Sequence, residues 1–137
     1  MEFFKPRIIK KQDTSSSSSQ ELTWPDHVVT LDEKTFDTFI HQYPFVVVDF
    51  WASWCSPCKA IVPRIRRLSK IYQNKVAFGK LDVQKNKNVA DKYRVLGIPH
   101  FILFHHGDIH FTMTGVRSIG KLKDTIDDMV KNKGRYW

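Results

Sequence analysis

The hydrophobic positions along the chain follow two periods, and their alternation lays out the architecture. Residues 27–31, HVVTL, alternate and are β-branched, which predicts a first strand. The segment DEKTFDTFIHQY then carries Phe36, Phe39 and Ile40 at helical spacing behind Asp32, a candidate cap. PFVVVDFWA, residues 44–52, is an almost unbroken apolar run, as expected of a strand covered on both faces. From Ser56 onward Ile61, Val62, Ile65, Leu68, Ile71 and Tyr72 recur every three or four residues. A long helix is expected there, kinked at Pro63 because the proline ring removes a backbone donor.

VAFGKLDV, residues 76–83, reads as another buried strand, and NKNVADKYRV as a short helix. HFILFHHGDIHFTMTG predicts two antiparallel strands about a His106-Gly107-Asp108 turn. Ser118 is placed to cap a last helix carrying Leu122, Ile126, Met129 and Val130. The order is β-α-β-α-β-α-β-β-α. Strands joined through helices should be mostly parallel and the final hairpin antiparallel, giving an α/β fold with a central mixed five-stranded sheet and helices on both faces.

At 137 residues the chain is long enough for one domain with a real core. Residues 1–25 read as a polar, Ser-rich tail, 26–131 as the domain and 132–137 as a short C-terminal tail. The first tail lacks the apolar core and cleavage site of a secretory signal, and Glu2, Asp13 and Glu21 argue against an organellar transit peptide. No apolar stretch reaches the roughly 20 residues that cross a bilayer, so no membrane association is expected. The net charge of +8 brings nucleic acid into view. The densest basic segment, residues 59–75, holds Lys59, Arg64, Arg66, Arg67, Lys70 and Lys75 and no acid. Its spacing is that of the solvated face of an amphipathic helix, and no nucleic-acid-binding signature accompanies it. Nucleic acid is therefore not the expected partner; a preference for acidic proteins is the milder inference.

Cys55 and Cys58 are the whole thiol inventory. A secreted disulfide scaffold would carry more cysteines at wider spacing, so a reducing, cytoplasmic setting is expected. There a Cys-x-x-Cys pair is catalytic or metal-binding. With a strand ending at Ala52 and a helix starting near Ser56, Cys55 falls at a helix N-terminus, where unpaired N–H groups and the helix dipole favour a thiolate. The thiolate is the species that attacks disulfides. Cys58 lies almost one turn further on and is expected to be more shielded. An exposed, acidic thiol beside a shielded one makes a nucleophile and a resolver. Pro57 suits the first turn of a helix, and Ser56 keeps the loop small and adds a hydroxyl. Asp49, inside the apolar run, is costly to bury without a partner.

DFWASWCSPCK resembles the active-site stretch of thioredoxins, which usually have glycine where Ser56 stands. KLDV, YRVLGIPHFILFHHG and a bend at Gly115 follow in thioredoxin order and spacing, across about residues 26–131. The resemblance implies the thioredoxin fold and a protein disulfide reductase. Cys55 then attacks a substrate disulfide, Cys58 resolves the mixed disulfide, Asp49 takes the proton of Cys58, and Lys80 pairs with Asp49. Pro99 matches the family's cis-proline, which leaves the backbone of Ile98 to pair with an extended substrate segment. Trp54, Pro57, Ile98 and Gly115 form the contact surface, with Ser56 and Pro99 beside them. Trp51 is either the second aromatic of the site or plain core.

The resemblance also implies no cofactor beyond the redox-active Cys55–Cys58 pair, disulfide-containing protein substrates, a thioredoxin reductase-type electron donor and a monomer. Two positions depart from the usual pattern. Ser56 affects the redox couple. His100 follows the cis-proline; facing the dithiol and protonated it would favour the thiolate, and otherwise it is a solvated histidine. Three rival readings remain. One is an isomerase or oxidase of the same fold. Another is a zinc module using Cys55, Cys58 and two of His100, His105, His106 and His110. The last is a scaffold that docks through its tail and basic helix.

Overall fold

The computed structural model describes residues 22–133; the expected tails at 1–21 and 134–137 lie outside the described residues. Strands β1 (Val29–Leu31), β2 (Phe45–Trp51) and β3 (Ala77–Asp82) alternate with helices α1 (Phe36–Gln42), α2 (Ser56–Ala60) and α3 (Val62–Ile71). Helix α4 (Lys87–Lys92), the hairpin β4 (His100–His105) and β5 (Asp108–Thr114), and α5 (Ile119–Lys131) complete the described chain. The sheet order is β1-β3-β2-β4-β5. β1, β3 and β2 run parallel, while β4 and β5 are antiparallel to their neighbours.

Strand alternation divides the core in two. Val47 on β2, Phe78 on β3 and Phe101 and Leu103 on β4 pack under α3 and α5 through Ile61, Ile65, Leu68, Leu122, Ile126 and Met129. Val46, Val48 and Phe50 face the other way with Ile102 and Phe104, against Phe36, Phe39 and Ile40 of α1. Asp49 therefore shares the α3 face with Val47. Its register partner on β3 is Lys80. Gly79 permits the close passage of β1 and α1, because a Cβ there would lie 2.6 Å from Leu31 Cδ1 and 3.1 Å from Phe39 Cε2.

Several local expectations are revised. The helix after the cysteines is broken at Ile61 and restarts as α3, with Pro63 in its first turn. The break precedes the proline because Pro63 has no N–H to return to the preceding turn and its ring crowds that carbonyl. Asp32 does not cap α1 itself. Its Oδ1 accepts the Lys34 and Thr35 N–H groups at 2.9 and 3.0 Å, building a turn that delivers the chain to Phe36. The hairpin turn needs only His106 and Gly107, at φ 51° and 85°, and Asp108 already pairs with His105 in the ladder. Both turn residues at positive φ match the twist of the strands they join. Ser118 precedes α5, but its hydroxyl donates backwards to the Gly115 carbonyl at 2.6 Å instead of capping the helix.

Candidate active site

The parallel strands end together, and the loop from Ala52 to Cys55 carries β2 into α2. Cys55 is the N-cap of α2, with Pro57 in its first turn. Cys55 and Cys58 are joined as a disulfide, their Cα atoms 5.3 Å apart. The Cys58 N–H donates to Cys55 Sγ at 3.2 Å. On reduction that donor and the helix start would favour negative charge on the Cys55 sulfur. The expected contrast in exposure is small in this oxidised form: Cys55 is 4% and Cys58 1% exposed, both packed with Ala52, Trp51, Val83 and Ile98. Trp54 is the side chain that stands out, at 65% exposure.

Trp54 is held from a direction the sequence does not announce. Its indole N–H donates to Gln84 Oε1 at 2.6 Å. Gln84 follows β3, in a turn made by Asp82 Oδ1 accepting its N–H at 2.9 Å. Only the parallel pairing of β2 and β3 brings this turn beside residue 54. Opposite, the Ile98–Pro99 bond is cis, as the family resemblance implies. The Pro99 carbonyl accepts the Gly115 N–H at 2.8 Å, and Ile98 packs on the cysteines. Trp54, Ser56, Pro57, Ile98, Pro99 and Gly115 thus come from three loops at one end of the sheet.

Asp49 is 5% exposed, and its buried Oδ1 has no hydrogen-bond partner. Burial pushes its carboxyl up to about 7, against the opposing pull of the Lys80 charge. The expected Asp49–Lys80 ion pair is not formed. The Lys80 ammonium lies 5.5 Å from the centre of the Trp51 ring and acts on Asp49 through space. The ring takes the cation because its π-face attracts charge without stripping it of solvent.

Neither expectation for His100 fits. The residue is buried, its ring edge-on to Phe50 at 5.8 Å, and Nδ1 meets Thr114 Oγ1 at 2.7 Å. Burial pushes its imidazole below the ordinary histidine value, so the ring is neutral at neutral pH. His100→Ala should therefore leave the Cys55 thiol titration unchanged, measured as alkylation rate against pH. A clear upward shift of the midpoint would restore His100 as an electrostatic partner.

The zinc reading finds no support in the geometry. Among the described residues no group of three or more His, Cys, Asp or Glu side chains is placed to hold a metal ion. His106 belongs to the hairpin turn, and its ring lies 4.4 Å from that of His105 at the end of β4. Among the described residues no helix is long and apolar enough to cross a membrane.

Residues 27–128 match the Thioredoxin family. The chain belongs to the thioredoxin family. It is 38% identical over 105 residues to a thioredoxin of Buchnera aphidicola from Schizaphis graminum, covering 76% of this chain and 97% of that protein. Thioredoxin C-2 of Corynebacterium nephridii is 40% identical over 103 residues, covering 75% and 95%. Among solved structures, Plasmodium falciparum thioredoxin superposes with a TM-score of 0.69 at 34% identity, covering 74% of this chain and 98% of that one. The oxidised mitochondrial thioredoxin 3 of Saccharomyces cerevisiae gives 0.69 at 30% identity, covering 74% and 94%. The fold is the thioredoxin fold, and the Cys55–Cys58 pair carries thioredoxin-type dithiol–disulfide exchange. Thioredoxins are protein disulfide oxidoreductases that act on disulfide substrates, and this chain is one of them.

Proposed function

We propose that the protein works in the reducing direction, with Cys55 as nucleophile and Cys58 as resolving thiol. The observation that carries this reading is Cys55 at the N-cap of α2, its sulfur accepting the Cys58 N–H at 3.2 Å. In the reduced protein the Cys55 thiolate attacks one sulfur of a substrate disulfide. A mixed disulfide forms on Cys55 and the other substrate sulfur leaves as a thiolate. Asp49 takes the proton of Cys58, directly or through water. The Cys58 thiolate then attacks Cys55 Sγ, closes the Cys55–Cys58 bond and releases the second substrate thiol. Two electrons pass from the cysteine pair to the substrate; one of the two protons comes from Cys58 by way of Asp49 and the other from solvent.

Lys80 holds Asp49 by its charge rather than by contact. Trp54, Ser56, Pro57 and Gly115 receive the substrate, and the backbone of Ile98, set by Pro99, pairs with an extended segment of it. The electrons ride on the cysteine pair without a bound cofactor and come from a thioredoxin reductase-type donor. We read residues 26–131 as the working domain, monomeric and placed in a reducing compartment such as the cytoplasm.

The test is Cys58→Ser. The reduced variant should accumulate a one-to-one adduct with a disulfide peptide, seen by intact mass and mapped to Cys55. Failure to accumulate it under conditions where the parent protein turns over would contradict the assigned roles.

A further inference from the structure

Beside the disulfide, residues 26–28 leading into β1, together with β2, β3 and α3, line a cavity of about 320 Å³ that shares only Asp49 and Lys80 with the exchange machinery. Its size lies at the lower end of small-molecule sites, about 300–1,000 Å³. Three kinds of group line it. Val28, Val62 and Ile65 give an apolar wall. Arg66 and Lys70 from α3 and Lys80 from β3 bring three cations. Asp49 presents a carboxylate whose Oδ1 is buried and unpartnered.

The cations of this cavity are not paired by direct contact with a carboxylate among the described residues. Asp26, at its edge, is engaged with His27 at 2.9 Å. Among the described residues Arg66, Lys70 and Lys80 enter no ion pair. Buried polar atoms such as Asp49 Oδ1 are normally hydrogen-bonded, and a carboxylate oxygen there calls for a donor. The complement to such a lining is a small molecule with a negative end, an apolar body and an O–H or N–H.

We propose that this cavity binds a small organic anion, its carboxylate toward Arg66, Lys70 and Lys80, its body on Val28, Val62 and Ile65, and its donor on Asp49 Oδ1. The consequence rests on the reading of Asp49 as proton acceptor. A ligand donating to Asp49 occupies the carboxylate that receives the Cys58 proton, so occupancy slows the resolving step. The cavity thus links the level of a small metabolite-like acid to disulfide exchange.

The probe is 4-hydroxyphenylacetate, titrated into the full chain and followed by amide NMR. Phenylacetate lacks the donor, and 4-hydroxybenzyl alcohol lacks the anion. Saturable shifts are expected at Val28, Ser69 and Lys80, with each truncated probe binding about tenfold more weakly. The double variant Arg66→Glu, Lys70→Glu should weaken the full probe at least about tenfold while its disulfide reduction without probe stays unchanged. Saturating probe should slow turnover of the parent protein and not of the variant.

Shifts that never saturate at millimolar probe, equal binding of all three compounds, or no loss in the double variant would each overturn the site. Saturable binding without slowed turnover would overturn the link to Asp49 and leave the site standing. Binding is read without redox activity, so a failed reductase reading would appear in the turnover assay alone.

Discussion

Cys55→Ser is expected to remove disulfide reduction down to the uncatalysed background, a loss of at least about 10³-fold. A serine hydroxyl at the N-cap still accepts the Cys58 N–H, so α2 keeps its start. What disappears is the sulfur anion, the species that attacks disulfides. The two cysteine variants should therefore differ in kind. Cys58→Ser retains the first step and stalls as the mixed disulfide, whereas Cys55→Ser forms no adduct at residue 55. The check is the initial rate of protein disulfide reduction under excess electron donor, beside intact mass after quenching. Appreciable turnover by Cys55→Ser would assign the attack to Cys58 and reverse the roles.

Asp49→Asn should make the protein more stable and a slower catalyst. Burial raises the Asp49 carboxyl from 3.8 to about 7, so the folded state holds this proton more tightly than the unfolded chain does. Stability contributed by the protonated form is then lost as pH rises from about 4 to about 7 and stays lost above that. At about 1.36 kcal/mol per pKa unit the ionised group costs on the order of 4 kcal/mol. Denaturant unfolding of the oxidised protein at pH 8 should show the asparagine variant more stable by up to that amount, with the gap closing near pH 4. Equal pH slopes for the two proteins would contradict the assignment.

The same substitution slows resolution, because asparagine cannot take a proton. An ordinary thiol of pKa about 8.5 is about 3% ionised at pH 7, which limits the loss to about thirtyfold. The deficit should fade above about pH 9, where Cys58 ionises without help. A rate deficit independent of pH would instead mark Asp49 as a merely structural group.

Much of this was legible in the chain because it depends on local pattern. The alternation of Val46, Val47, Val48, Asp49 and Phe50 alone sets the aspartate on one face of β2, and the structure places that face under α3. The paired glycine and histidine of the hairpin and the two cysteines at a strand-to-helix passage are likewise short-range signals. The features missed depend on neighbours remote in sequence. Gln84 meets Trp54 only because β3 lies beside β2. Lys80 was expected on Asp49, but the adjacent Trp51 ring competes for the ammonium. His100 was expected near solvent or the dithiol, and strand alternation instead turns it toward Phe50, with Thr114 of β5 taking its ring nitrogen. The cavity beside Asp49 arises where residues 26–28, ahead of β1, meet α3, a meeting that no window of sequence contains.

If the Cys55–Cys58 pair is a reductant, it must give up its electrons readily. The most direct test is the reduction potential, obtained by equilibrating the protein in defined thiol–disulfide buffers and trapping free thiols. A reductant should read about −270 mV, the value known for thioredoxin. A value of about −180 mV or higher, in the range of disulfide isomerases and oxidases, would contradict the reducing role and point to Ser56 as the first residue to exchange for glycine.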